Sequence, residues 1–291
     1  MYMKILLIGS DGFVGKEVAK LLEKKHTLKG YDQTNGKNIL NVSDLEEEMR
    51  GTDVVIHLAA IIENDSPQLW EVNVKGTKNV VEAAAKNKVK KLIFLSSTGV
   101  YGCPKEKVNE KSETRPENNY EKSKLEAEKI VLGHKEKICV NIIRSAMVLG
   151  ANNYWKKMFN LLKKNYPLPC GGKNTFQVTY VKELARAIET VLKKGKCGET
   201  YLVATKEKWT LNEFCETGKK LLGMKNTKVK HVPGFIGVII GKITGSKTLT
   251  AENIRHLSKE RNYDLRKITK LSYKQKQPLK EAIQEIVKEL N

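Results

Sequence analysis

The sequence predicts an α/β fold, a doubly wound parallel sheet followed by a smaller lobe. Three observations point there. Short apolar runs alternate with helical patterns through about residue 145, the mark of parallel strands joined by crossover helices. A glycine-rich loop lies between the first run and the first helix. Beyond about residue 150 the alternation gives way to helical and irregular pieces that end in an amphipathic helix over Leu279–Leu290. The expected organisation is a sheet domain over residues 1–150, with a possible return of the chain around 176–205, and a second lobe over 151–291.

Each element has its own signal. Lys4–Ile8 is a short apolar run that ends in glycines, so it reads as a buried strand rather than a signal peptide. Phe13–Lys25 follows with helical spacing, and Thr27–Tyr31 returns to a strand. Asn38–Leu40 is a further short strand candidate. Ser43 looks like an N-cap, with Glu46 three residues on completing a capping box. Asp53–Leu58 is β-branched and apolar, as a strand buried on both faces would be. Asn73–Asn87 is helical, Lys91–Ser96 a strand, Tyr120–Leu132 a helix and Cys139–Arg144 a strand.

Composition sets the bounds. With 291 residues, 40% of them hydrophobic, the chain can build one large domain or two lobes sharing a core. Seven prolines and the lack of any Ser/Gly-rich tract argue against a long disordered linker. Cys103, Cys139, Cys170, Cys197 and Cys215 contain no Cys-x-x-Cys spacing; they read as reduced thiols of a cytoplasmic protein, with neither a metal site nor a disulfide framework. The net charge of +20 is uneven: residues 146–291 hold 29 Lys/Arg against 12 Asp/Glu. Such a half can attract phosphate-bearing ligands, anionic lipid heads or nucleic acid. Its lysines are scattered doublets without interleaved aromatics, which argues against nucleic acid and for a solvated surface. The apolar stretch Val232–Ile243 is too short to span a bilayer. It reads as a buried helix or loop of the second lobe, with a membrane-surface contact or part of a lipid-linked substrate site as the alternatives.

The glycine loop carries the first functional signal. Gly9 permits a tight turn, Gly12 removes a side chain where a cofactor backbone must come close, and Gly15 lets helix and strand pack closely. Asp11, Phe13 and Val14 fill the loop between them. Free amides at the helix start bind phosphate with help from the helix dipole. Asp32 ends the second strand, 17 residues past Gly15, where a carboxylate accepts hydrogen bonds from ribose hydroxyls and repels a 2′-phosphate. The loop therefore predicts a Rossmann-type dinucleotide site that prefers NAD to NADP.

The second signal is Tyr120 followed four residues later by Lys124, on one face of a predicted helix. A tyrosine is a poor base at neutral pH, and a nearby ammonium is expected to lower its pKa. The pair can take a proton from a substrate hydroxyl while hydride leaves to a nicotinamide. Ser97, at the end of the strand before it, is placed to hold the substrate oxygen, with Thr98 beside it. Tyr-x-x-x-Lys alone is weak in a lysine-rich chain; its order after the glycine loop and the strand-end serine gives it meaning.

Taken together, GSDGFVG (9–15), YD (31–32), DVVIHLAA (53–60), NVKGTKNVVEAA (73–84), LSSTGVYG (95–102), YEKSK (120–124), YVKELARAI (180–188) and RNYDLRKI (261–268) resemble the extended short-chain dehydrogenase/reductases of the NAD-dependent epimerase/dehydratase family over nearly the full length. The resemblance implies that Leu58, Ala59 and Ala60 pass under the cofactor, that Asn73 steadies the site, and that Ser97, Tyr120 and Lys124 form the catalytic triad, with Lys124 reaching the nicotinamide ribose. At the adenine end, beside Val42, Asn41 stands where the family usually has Asp. A homodimer through the helices around 73–87 and 120–132 is implied as well.

Departures narrow the expectation. Family dehydratases carry Asp-Glu after the catalytic hydroxyl; this chain has Thr98-Gly99, which argues against 4,6-dehydration. Gly99 also replaces the cysteine of the family's epimerase-reductases. Phe176 stands where many nucleotide-sugar members place an arginine, and Met147 where they place an asparagine. Both could line an apolar pocket, while Lys173 or other lysines could hold a diphosphate. The leading expectation is an NAD-dependent nucleotide-sugar 4-epimerase. The alternative is an NAD-dependent dehydrogenase or reductase of a less polar alcohol or ketone.

Overall fold

The computed structural model describes residues 2–245 and 249–290. Its centre is a six-stranded parallel sheet built from β1 (Lys4–Ile8), β2 (Thr27–Tyr31), β3 (Val54–His57), β4 (Lys91–Ser97), β5 (Cys139–Ser145) and, after a short β6 (Val148–Leu149) and β7 (Thr179–Tyr180), β8 (Glu199–Val203). Strand order is β2-β1-β3-β4-β5-β8, every neighbour parallel. The helices are α1 (Phe13–Leu22), α2 (Val42–Glu48), α3 (Thr77–Lys86), α4 (Asn119–Gly133), α5 (Asn153–Lys163), α6 (Val181–Lys194), α7 (Leu211–Leu221), α8 (Gly234–Thr244), α9 (Ala251–Leu257), α10 (Arg266–Lys270) and α11 (Leu279–Lys288).

The two-residue period of the strands feeds two cores. Leu6, Ile8, Leu92 and Phe94 pack with Val80, Ala84, Ala127 and Val131 of α3 and α4. Ile5, Leu7, Ile56 and Ile93 face the other way, onto Val18 and Leu22 of α1 and Leu184, Ile188 and Val191 of α6. Helices on both faces explain why these strands read as nearly continuous apolar runs. A third core joins Trp155, Phe159, Phe214, Leu279 and Ile283, residues of α5, α7 and α11.

Several expectations change. Asn38–Leu40 is a turn, because the Asn38 side chain accepts from the Leu40 amide at 2.9 Å and Ile39 is buried instead of pairing in the sheet. Asn41, rather than Ser43, caps α2; its Oδ1 accepts from the Asp44 amide at 3.2 Å. Cys139 and Cys197 form a disulfide, against the expectation of reduced thiols. The parallel pairing of β5 with β8 brings the start of one strand beside the lead into the other, with the two Cα atoms 4.7 Å apart across 58 residues of sequence. Finally, α8 is not buried: its bulky apolar side chains face solvent.

Candidate active site

β2 and β3 lie on opposite sides of β1, so the chain reverses its winding at the carboxyl ends of β1 and β3. Open parallel sheets bind ligands in the crevice such a reversal creates. Gly9 leaves β1 with φ +85°, and a Cβ there would lie 2.7 Å from the Ala59 amide nitrogen. A Cβ on Gly15 would lie 2.0 Å from the Gly9 carbonyl oxygen. Gly12, the N-cap of α1, meets only the Gly9 oxygen, so its outer side stays open. The three glycines let the loop, the chain after β3 and the start of α1 share one space that side chains would fill.

Other candidates surround this cradle. Asp32 accepts from the amides of Asp11 (3.0 Å) and Thr34 (3.1 Å), which fixes its carboxylate at the end of β2. Leu58, Ala59 and Ala60 are half-buried immediately after β3, with the Leu58 amide bonded to the Ile8 carbonyl at 2.8 Å. The Phe13 ring fits against Gly150, where a Cβ would come within 2.5 Å of it, and Val14 bridges two cores. Asn41 spends one lone pair on its cap, while Val42 is exposed.

Asn73 is buried and joins three elements. Its Oδ1 accepts from the Ile61 amide at 2.8 Å, and its Nδ2 donates to the Ile61 carbonyl at 2.8 Å and to Ser123 Oγ at 3.0 Å. Ser123 in turn donates to the Tyr120 carbonyl at 2.8 Å. The loop after β3 is thereby fixed to the first turn of α4. Sequence reasoning missed His57 behind it. The His57 Nε2 lies 3.0 Å from Thr77 Oγ1, which donates to the Asn73 carbonyl at 2.7 Å. Burial, then the charge of Lys124, holds that imidazole down to about 3, so it is neutral. Its signal in the sequence was a lone histidine in the apolar run Val54–Leu58.

Ser97 ends β4 and Tyr120 opens α4, which begins with a capping box: Asn118 accepts from the Glu121 amide at 2.8 Å. Lys124 follows one turn later, buried, its Nζ 4.1 Å from the centre of the Phe94 ring. Within the fold, burial rather than the charge of Lys124 is the main influence on Tyr120. Burial instead pushes the phenol up to about 12, with the nearby Ser97 hydroxyl opposing the rise. Burial lowers the ammonium to about 7, with Glu128 opposing. Lys124 makes no hydrogen bond or ion pair within the described chain. A buried ammonium without a hydrogen-bond acceptor is costly, and hydroxyls of a bound ribose would supply acceptors. The cradle and this orphaned ammonium both fit a dinucleotide.

Thr98 bonds Tyr263 across 3.0 Å, hydroxyl to hydroxyl, so the segment 261–264 reaches Thr98 from the C-terminal part of the chain. Met147 is half-buried at the edge of the third core. Phe176 is not brought to the site: it is fully buried, 5.2 Å from the Phe214 ring and 5.1 Å beneath the Arg261 guanidinium. Sequence reasoning also missed Lys259, a buried ammonium 3.3 Å from Glu121 Oε1 and 3.4 Å from Glu117 Oε2. A cleft of about 540 Å³ opens beside Tyr120, lined by Asn64, Glu117, Asn118, Asn119, Ala251, Glu252 and Arg255. No cluster able to hold a metal ion occurs among the described residues.

With this geometry in hand, comparison with known proteins is decisive. The family model described as RmlD substrate binding domain matches residues 3–290. The chain belongs to this family, and with it to the extended short-chain dehydrogenase/reductase enzymes of the epimerase/dehydratase type. Among its relatives is an N-acetyl-alpha-D-glucosaminyl-diphospho-ditrans,octacis-undecaprenol 4-epimerase of Escherichia coli O157:H7, 31% identical over 271 residues, covering 84% of this chain and 81% of that protein. A dTDP-D-glucose 4,6-dehydratase of Dictyostelium discoideum is 31% identical over 252 residues, covering 69% of this chain and 58% of that one. Among solved structures, a UDP-N-acetylglucosamine 4-epimerase from Methanobrevibacter ruminantium M1 superposes with a TM-score of 0.82 at 20% identity, covering 99% of this chain and 98% of that one. That likeness is one of fold.

Proposed function

We propose that this family member is an NAD-dependent sugar 4-epimerase acting on a sugar carried by a diphosphate. The observation that carries the reading is the Tyr120 phenol against the Ser97 hydroxyl, with Lys124 buried one helical turn on and without a hydrogen-bond acceptor, and no carboxylate at positions 98 and 99. The 4-epimerase among its relatives and the dinucleotide cradle support it.

Bound NAD supplies a site that accepts a hydride from the sugar and returns it. Gly9, Gly12 and Gly15 with the first amides of α1 would hold its pyrophosphate, Asp32 its adenosine ribose, and Lys124 its nicotinamide ribose. Asp11, Phe13, Val14, Asn41, Val42 and Leu58–Ala60 would line the rest. Ser97 and Thr98 would hold the sugar hydroxyl, and Tyr120 would remove its proton and later return it. A phenol pushed up to about 12 resists losing its own proton. The Lys124 ammonium must therefore stay charged and close, which an acceptor on the ribose favours. Met147 would face the sugar; Phe176, in the core, is left out. We also propose a homodimer through α3 and α4.

The test is to mix purified protein, NAD and UDP-galactose, follow absorbance at 340 nm, and resolve the sugars by chromatography. UDP-glucose without accumulating NADH is the expected result, with Tyr120→Phe inactive but still binding NAD. Unchanged turnover in Tyr120→Phe would sink the assignment. Stoichiometric NADH would favour a second reading, a dehydrogenase of a less polar alcohol, for which the half-buried Met147 speaks.

A further inference from the structure

Helix α8 turns the usual pattern of a surface helix inside out. Its small residues face the protein: a Cβ on Gly237 would lie 2.6 Å from Pro169 Cβ, and one on Gly241 would lie 2.1 Å from the Leu249 carbonyl oxygen. Gly234 approaches Ile254 and Pro169 on the same side. At 3.6 residues per turn, positions 234, 237 and 241 share one stripe. The opposite face carries Phe235, Ile239, Ile240 and Ile243, which are 67%, 51%, 43% and 80% exposed. No helix among the described residues is long and apolar enough to cross a membrane. This one has the length and the sidedness to lie on one.

Charge identifies the occupant. Residues 217–251 contain seven lysines and no aspartate or glutamate. Lys225, Lys228, Lys230 and Lys242 are exposed and have no ion pair among the described residues. Lys163 and Lys164, at the end of α5, are likewise exposed and unpaired. Their segment joins the lysine-rich one through the Leu168 amide bonded to the Lys230 carbonyl at 2.8 Å and the Val232 amide bonded to the Leu168 carbonyl at 2.9 Å. Bulky apolar side chains on a helix that carries one unpaired lysine and follows a lysine-rich segment match a bilayer with acidic headgroups: the apolar face enters the interface and the ammonium groups stay at headgroup level. A second copy of this chain fits poorly, because it would bring the same uncompensated lysines together. An 11-residue helix is also small beside the roughly 800 Å² per partner of a stable protein interface.

We propose that α8 is a docking helix for membrane surfaces rich in anionic lipid. It packs against α9, whose Ala251, Glu252 and Arg255 line the cleft beside Tyr120. Docking through α8 therefore carries the mouth of the cleft to the headgroup layer, where a sugar attached to a lipid diphosphate would be found. That last consequence rests on the epimerase reading; the docking itself does not.

Flotation of the full chain tests it, with vesicles of phosphatidylcholine alone and of equal parts phosphatidylcholine and phosphatidylglycerol. The wild type should float with the mixed vesicles, with a bound fraction falling as salt rises. Ile239→Ser/Ile243→Ser should weaken partitioning tenfold or more. Lys225→Glu/Lys228→Glu/Lys230→Glu should remove the preference for the anionic vesicles. Both variants should keep the wild-type melting temperature and the wild-type turnover of UDP-galactose. A wild type that stays unbound on both vesicles overturns the proposal, as does flotation untouched by the isoleucine pair. So does light scattering that shows a concentration-dependent oligomer dispersed by that pair without flotation. A wild type that floats yet turns over no sugar leaves docking standing and removes the epimerase reading.

Discussion

Asn73→Asp is the most informative single change in the site. The replacement keeps an acceptor for the Ile61 amide but loses the Nδ2 donor that serves both the Ile61 carbonyl and Ser123 Oγ. The carbonyl is left facing a carboxylate, at about 1–3 kcal/mol for a buried unsatisfied group. Ser123 must either turn its proton to the new carboxylate and abandon the Tyr120 carbonyl or keep that bond with its lone pairs facing the carboxylate, at a further ~0.5–1.5 kcal/mol. Together the loss is about 1.5–4.5 kcal/mol. Urea unfolding at neutral pH should show the midpoint lowered by roughly 1 M for an m-value near 3 kcal/mol/M. Burial raises the pKa of the new carboxyl, and its protonated form can donate. The folded variant then holds a proton that the unfolded chain releases as pH rises through the carboxyl range, so the defect should be smaller at pH 5 than at pH 8. Because the loop after β3 is tied to α4 through this side chain, the NAD dissociation constant should rise about tenfold, or 1.4 kcal/mol. A variant with the wild-type urea midpoint at both pH values would refute the account of Asn73 as the staple between loop and helix.

Other outcomes follow from the same structure. Wild-type protein should bind NAD at least tenfold more tightly than NADP, and Asp32→Asn should narrow that gap; equal affinities in a calorimetric titration of the wild type would remove the ribose role from Asp32. Lys124 is lowered to about 7 in the folded, cofactor-free protein, so between pH 7 and about 10 the unfolded chain binds a proton the folded one lacks and stability rises with pH. Lys124→Met removes this linkage, and its stability advantage in urea, a few kcal/mol at pH 7 or about that, should shrink toward pH 10; a constant advantage would contradict the buried ammonium. Cys139→Ser should cost about 2–4 kcal/mol under oxidising conditions by opening a long loop, and the loss should vanish when both proteins are measured in reductant.

What the sequence revealed and what it hid divide along physical lines. Lys4–Ile8, Gly9–Gly15 and the helix from Phe13 are local: period, glycine spacing and strand-to-helix order define the cradle without knowledge of distant residues. The Tyr120–Lys124 face is equally local, since four residues make one helical turn. The Cys139–Cys197 pair depends on β8 returning to lie beside β5, a neighbour relation that no spacing encodes. Lys259 reaches Glu121 across 138 residues for the same reason. The error at α8 differs in kind. Its glycines at 234, 237 and 241 were legible as one stripe, but apolar character suggested burial, and only the packing shows that the small side is the buried one. Burial dominates the Tyr120 phenol, and desolvation of that kind depends on packing that a sequence motif does not encode.

Gly99 shows how closely the candidate site is tied to the C-terminal part of the chain. A Cβ at this position would lie 2.9 Å from Glu121 Cγ and 3.2 Å from Ser97 Oγ. The space that a side chain at 99 would need is already filled by α4. Glu121 cannot easily yield it: its Oε2 accepts from the Glu117 amide at 2.8 Å, and its Oε1 lies 3.3 Å from the buried Lys259. An acid introduced at 99 would have to displace a carboxylate that is itself held by the Lys259 ammonium. The glycine is therefore more than the loss of an acid. It admits the contact through which Lys259 reaches the first turn of α4, one residue from Tyr120. A shift of Lys259 would act on Glu121, and through the capping box on the backbone that carries the phenol. The contact that leaves no room for a side chain at 99 thereby couples the position of Tyr120, the proposed proton-transfer residue, to the C-terminal part of the chain.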